Sequence, residues 1–173
     1  MEERYGRIRV SPFQFYICGG ESWDFEGTEQ WPAASLLKTG KSLVTVASKT
    51  DASAVGLRAV THASEPDVRD LNEWERAEEV SVAFDGDPDP YFLVPFQNPG
   101  VGLDSDLEDF YIAPGSWRVR AYVRGSQLAY EMGLAGTLPK GDDIPSDPAA
   151  LPEQFLIDFW PVTSLDPARV LKD

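Results

Sequence analysis

The residues of this 173-residue chain that could do chemistry are carboxylates before anything else. Asp85-Gly-Asp-Pro-Asp89 and Asp104-Ser-Asp-Leu-Glu-Asp109 crowd oxygen ligands closely enough to suit calcium, a hard cation that takes about six to eight oxygens. The first cluster opens like an EF-hand loop, but its glycine stands second and Phe96 occupies the twelfth position, where a bidentate glutamate belongs. The match fails, so the acids read as solvated turn residues, with a weaker loop-borne calcium site as the alternative. Carboxylate pairs for glycoside cleavage could be drawn from the same acids, yet none is singled out. His62 is the one histidine and Cys18 the one cysteine. Catalysis by histidine needs a second group to orient it or to be deprotonated by it. The sequence places nothing beside His62, and Cys18 reads as a small core residue. With nitrogen and sulfur ligands scarce, a zinc site is excluded as well. The expectation is a protein without catalytic residues, metal or cofactor.

What the acids do supply is a field. The chain has 29 acids against 15 bases, a formal net charge of −14, and residues 61 to 109 hold 14 of the acids with only 2 bases. Such a surface repels nucleic acid and anionic lipid while drawing in a basic protein partner. If the loops of residues 65–79, 85–89 and 104–109 share one rim, their carboxylates resemble a nucleic-acid backbone. The candidate partner-binding residues are then Glu73, Trp74, Glu75, Glu78, Asp85, Asp87, Asp89, Asp104, Asp106, Glu108 and Asp109. Trp74, Tyr91 and Phe110 would serve as apolar anchors. A second reading makes the chain a small-ligand or carbohydrate-binding β-module that stacks ligand on Trp23, Trp31 and Trp117, with calcium assisting.

The elements that must position these residues are strands. Residues 109–125 read as two strands joined at Pro114-Gly115, with Trp117, Val119, Ala121 and Val123 alternating with Arg118, Arg120, Tyr122 and Arg124. The arginine face is expected to be solvated and paired with cross-strand acids. Residues 7–17 read as one strand whose parity breaks at Ser11-Pro12, as a bulge would do. Further strands are expected at 43–47, 55–62, 79–84, 91–96 and 154–160. An aromatic flap is expected over 19–39, an acidic loop held by Trp74 over 63–79, and a short helix through Leu128 and Met132. About eight short strands with loops rich in Gly, Pro and Asp predict an all-β fold, an antiparallel two-sheet sandwich with little helix. One domain spans residues 1–173, with 161–173 a loosely held tail. No apolar run spans a bilayer and no segment drives secretion, so the expected compartment is the cytoplasm.

Three pieces of the chain resemble the competence protein J family. Val10-Ser-Pro-Phe-Gln-Phe-Tyr-Ile17 is similar to the family's opening strand, Phe92-Leu-Val-Pro-Phe96 to its Val-Pro-Phe strand, and Ile112-Ala-Pro-Gly-Ser-Trp-Arg-Val119 to its hairpin. In the last piece Pro and Gly are adjacent and Trp117 stands where the family has a tyrosine. The resemblance implies a small protein associated with inhibition of a DNA-entry nuclease. Together with the charge, it gives the expected function: a non-enzymatic inhibitor or immunity-type protein that blocks a basic nuclease or nuclease toxin, with no direct nucleic-acid or membrane binding.

Overall fold

The computed structural model describes residues 1–10, 12–18, 35–85, 106–107, 110 and 112–173, and the backbone of 96–97. Its strands are β1 (Glu2–Val10), β2 (Gln14–Cys18), β3 (Leu37–Gly40), β4 (Leu43–Ala47), β5 (Ser53–Thr61), β6 (Arg76–Phe84), β7 (Phe96–Gln97), β8 (Gly115–Arg124), β9 (Gln154–Pro161) and β10 (Arg169–Lys172). One α-helix, α1 (Ser126–Ala135), lies between β8 and β9. The strands form a six-stranded sheet in the order β1-β5-β9-β8-β6-β10 and a four-stranded sheet in the order β3-β4-β2-β7. Every pairing is antiparallel except that of β5 with β9. The architecture is the all-β two-sheet sandwich that strand periodicity predicts.

Alternation builds the core. Val119, Ala121 and Val123 of β8, Phe155, Ile157 and Phe159 of β9, and Val80, Val82 and Phe84 of β6 point to the inner face of the large sheet. They meet Phe15, Ile17, Val44 and Val46 of the small sheet, with Phe15 set edge-on to Phe155 at 5.2 Å between ring centroids. The parity break at residues 11–13 proves to be larger than a bulge. Pro12 cannot donate to a ladder, and Phe13 takes a left-handed φ of 54°. Across this break the chain leaves the large sheet as β1 and enters the small one as β2, so Ile8 and Phe15 belong to opposite layers of one core.

The expected hairpin over 109–125 does not form either. Both edges of β8 are taken, by β6 on one side and β9 on the other, so the segment before it has no ladder left to join. Phe110 and Ile112 instead plug the core, Phe110 lying 5.7 Å from Phe159. The C-terminal residues, expected to be loose, are held. Arg169–Lys172 pair with β6 as β10, and Lys172 Nζ donates to the carbonyls of Leu71 and Trp74. Trp74 anchors the acidic loop as expected, packed 5.4 Å from Tyr122, and the loop contains one 3-10 turn over Leu71–Glu73. The flap residues Trp23, Phe25 and Trp31 and residues 91–95 of the strand expected at 91–96 lie outside the described residues, and Phe96 opens β7. Among those described, no helix is long and apolar enough to cross a membrane.

Two glycines bound α1, and they separate backbone strain from collision. Gly125 (φ 77°) and Gly136 (φ 68°) both take left-handed conformations, but a Cβ at Gly125 would collide with the carbonyl of Pro152, whereas one at Gly136 meets nothing within 4 Å. Gly136→Ala should therefore cost about 1 kcal/mol, the strain alone. Gly125→Ala should cost about 3 kcal/mol or more, because backbone must also move. Urea unfolding of the two variants checks the order, which reverses if collision is unimportant.

Candidate functional site

The outward face of the large sheet carries its chemistry. On β8 the residues alternating with the core set are Arg118, Arg120 and Tyr122, which face Ser81, Glu79 and Ala77 of β6 and Trp160, Asp158 and Leu156 of β9. The arginine face is paired with a cross-strand acid, as expected, but it is not solvated. Arg118 is 6% exposed and Arg120 0%. Glu79 accepts from Arg120 Nε at 2.7 Å and from Arg118 Nη2 at 3.2 Å. Two further donors of Arg120 go to Glu65 Oε1 and the Pro66 carbonyl, and its guanidinium lies 4.7 Å above the Trp160 ring. Arg118 donates to Ser81 Oγ and to the carbonyl of Asp166. Residues 65–66 and 166–169 thus roof the charges and supply the oxygens that a buried guanidinium requires. Burial pushes the Glu79 carboxyl up, but the hydrogen bonds and charges of Arg120 and Arg118 outweigh it and hold the group below the usual glutamate range.

Beside this layer, His62 Nε2 hydrogen-bonds Asp158 Oδ1 at 2.8 Å, with Arg69 Nη2 3.5 Å from the same oxygen. The partner that the sequence could not place beside His62 is 96 residues away, brought in by the parallel pairing of β5 with β9. Cys18 is no partner of this group. It is buried in the small sheet with Tyr16 and Leu43, where burial pushes its thiol up to about 12.

The described members of the predicted acidic set fall in three places. Glu73, Trp74 and Glu75 sit together at the start of β6. Glu75 accepts from the backbone N–H groups of Gly125 (2.7 Å) and Gln127 (3.3 Å), capping α1. Asp85 is exposed just past the other end of β6, a nine-residue strand and so roughly 30 Å away. Its backbone N–H and carbonyl both bond Ser42 Oγ. Asp106 lies at the β1 edge, four strands from β6, and pairs with Arg7 Nε at 2.6 Å. Hydrogen bonding from Arg7 holds its carboxyl below the usual aspartate range against the opposing effect of burial. Glu78 points inward, takes 2.9 Å contact from Arg76 Nη2, and accepts from Leu37 N at 3.0 Å, which ties the two sheets together. Asp87, Asp89, Asp104, Glu108 and Asp109 lie outside the described residues. Glu65, Asp67 and Asp70 join Glu73 and Glu75 to make a continuous exposed ribbon. Composition marked that loop as acidic, but only the fold shows which of its members face solvent.

Among the described residues no group of three or more histidine, cysteine or acidic side chains could hold a metal ion. Of the tryptophans proposed to stack ligand, Trp117 is half-buried against the core and donates Nε1–H to the Ala113 carbonyl. Trp23 and Trp31 lie outside the described residues.

These features define an all-β sandwich whose larger sheet carries a roofed ionic layer on its outward face. No family model and no curated protein sequence matches the chain. Among solved structures, a protein described as crocagin biosynthetic gene J is similar over 93% of this chain and 99% of its own, at 16% identity and a TM-score of 0.52. The two share a fold. ComJ from Bacillus subtilis, described as inhibitor of the DNA degrading activity of NucA, is similar over 94% of this chain and 96% of its own, at 12% identity and a TM-score of 0.46.

The depressed Glu79 carboxyl makes the ionic layer pH-dependent. Because its folded pKa lies below the unfolded value, the ion pairs add stability that is fully present above about pH 4.3 and is lost as pH falls through the folded value. Glu79→Gln should lower stability at pH 7 by about 3 kcal/mol, since two buried guanidiniums lose their shared counter-charge. The variant should also lose less stability than the parent on acidification. Urea titrations between pH 7 and 3 check both, and parallel acid limbs would count against this account.

Proposed function

We propose that this chain is a non-enzymatic, immunity-type inhibitor that acts in the cytoplasm by binding a basic protein partner, a nuclease or nuclease toxin, through exposed carboxylates. The observation that carries the reading is the ribbon from Glu65 to Glu75, where Glu65, Asp67, Asp70, Glu73 and Glu75 are all exposed with Arg69 as the one base among them. The ribbon is fixed from beneath. Asp70 caps its 3-10 turn, Trp74 rests on Tyr122, Tyr122 accepts from the Arg69 backbone N–H, and Arg120 and Lys172 grip its carbonyls. Carboxylates on a loop already ordered bind a cationic surface with less entropic loss than carboxylates on a free one. The net charge of −14 supports the same partner through long-range steering, and the resemblance to the competence protein J family points to a nuclease as its kind. Of the predicted contact residues, Glu73, Trp74 and Glu75 lie within this ribbon, whereas Asp85 and Asp106 lie at other edges of the large sheet.

ComJ inhibits the DNA degrading activity of NucA, and that activity is the first assay for this chain. Inhibition should weaken with added salt and fall by roughly tenfold or more in the Asp67→Lys/Glu73→Lys double variant, as expected when like charges face a cationic cleft. Inhibition indifferent to both salt and charge reversal would reject the ribbon as the contact surface. Absence of binding to NucA and to other basic nucleases would reject the function.

A further inference from the structure

A groove of about 490 Å³ crosses the outward face of the large sheet, beside the ionic layer, with Glu3, Tyr5, Arg58, Glu73, Trp74 and Arg124 on its walls. That volume is in the range that encloses a small organic ligand, about 300–1,000 Å³. Its walls carry two guanidiniums against two carboxylates, in contrast to the acid excess of the whole chain. In a chain with 29 acids, Arg124 has no carboxylate partner among the described residues, although Arg58, Arg69, Arg76, Arg118 and Arg120 on neighbouring positions all have one. The Arg124 guanidinium is laid over the Trp74 ring, 5.2 Å from its centroid, and its N–H groups have no hydrogen-bond acceptor among the described residues. Among the described residues Arg58 is paired with Glu3, at 2.9 Å, in a pair exposed enough for a stronger anion to displace.

Tyr5 on β1, directly opposite Arg58, is 46% exposed and reaches across the sheet, its hydroxyl donating to Gln154 Oε1 at 2.9 Å. Burial and Asp147 hold this hydroxyl above its ordinary pKa while Arg124 and Arg58 pull the other way, so both cations are within electrostatic reach of the same ring. The register explains the convergence: Tyr5 is opposite Arg58 on β5, Arg58 opposite Leu156 on β9, and Gln154 of β9 opposite Arg124 on β8. An exposed aromatic ring and two guanidiniums lining one groove are the groups that stack a base and hold a phosphate.

We infer that this groove binds a nucleoside monophosphate, the phosphate between Arg58 and Arg124 and the base against Tyr5. The groove shares Glu73 and Trp74 with the acidic ribbon, but nucleotide binding requires no nuclease, so calorimetry with nucleotide and inhibition of a nuclease can fail independently. Titration calorimetry of the full chain at low salt with guanosine 5′-monophosphate, ribose 5-phosphate and guanosine tests it. The nucleotide should bind at least roughly tenfold tighter than either fragment, a difference that means both halves of the site are used. Arg124→Gln should weaken the nucleotide by a similar factor, Arg124→Lys by less, and Tyr5→Leu should erase the preference for nucleotide over ribose 5-phosphate. Both positions are on the surface, and near-UV circular dichroism verifies that the variants fold. Equal binding of ribose 5-phosphate and nucleotide, no binding at millimolar nucleotide, or an Arg124→Gln variant that binds like the parent would each overturn the assignment.

Discussion

The structure depends on one carboxylate. Glu79 lies 3.2 Å from Arg118 and 2.7 Å from Arg120, with Arg169 Nη1 at 3.4 Å, and it is almost wholly removed from water. Taking ions out of water costs several kcal/mol each unless their partners and remaining donors are all satisfied. A sheet that places two arginines side by side on β8 can therefore fold only if something covers them and offers oxygens. The loop before β6 supplies Glu65 and the Pro66 carbonyl, and the C-terminal segment supplies the Asp166 carbonyl and β10. Cover and charge require each other, which is why two segments with little apolar content are nonetheless held in place.

The acid excess accordingly divides by role. Glu78, Glu79 and Glu153 are buried and structural. Glu153 accepts from Ser48 Oγ, Thr50 Oγ1, Ser126 Oγ and the N–H groups of Lys49 and Thr50, and so binds the β4–β5 turn to the start of α1. Glu75, Asp70 and Asp147 cap helical turns, and Asp106 pairs with Arg7. Of the acids that remain exposed, Glu65, Asp67 and Glu73 lie where the roofing loop crosses the sheet, and others such as Asp85, Glu131, Asp142 and Asp143 lie elsewhere on the described surface. A loop clamped from below to neutralise arginines presents its other carboxylates outward by geometry. Internal electrostatics thereby produces the external field on which a basic partner would act.

Much of the fold was legible because strand periodicity is a local signal. The inward sets of β6, β8 and β9 follow from period-2 alternation, and the two glycines that limit α1 stand at its ends. Of the site, the acidity of the 65–75 loop and the anchoring of Trp74 could be read directly. His62 with Asp158, and Tyr5 with Arg58 and Arg124, could not, because each group is assembled from strands far apart in the chain.

By itself the sequence determined that the chain is all-β, which side chains share a face of each strand, and where the negative charge is concentrated. Those properties reside in neighbouring residues and composition. Only the tertiary structure decided that the break at Pro12 moves the chain between sheets, that β8 sits between β6 and β9, and that the arginine face is roofed. The physical reason is that alternation distinguishes two faces of a strand without specifying what will cover either. Whether a charged face meets water or a buried counter-charge depends on segments that arrive from tens of residues away.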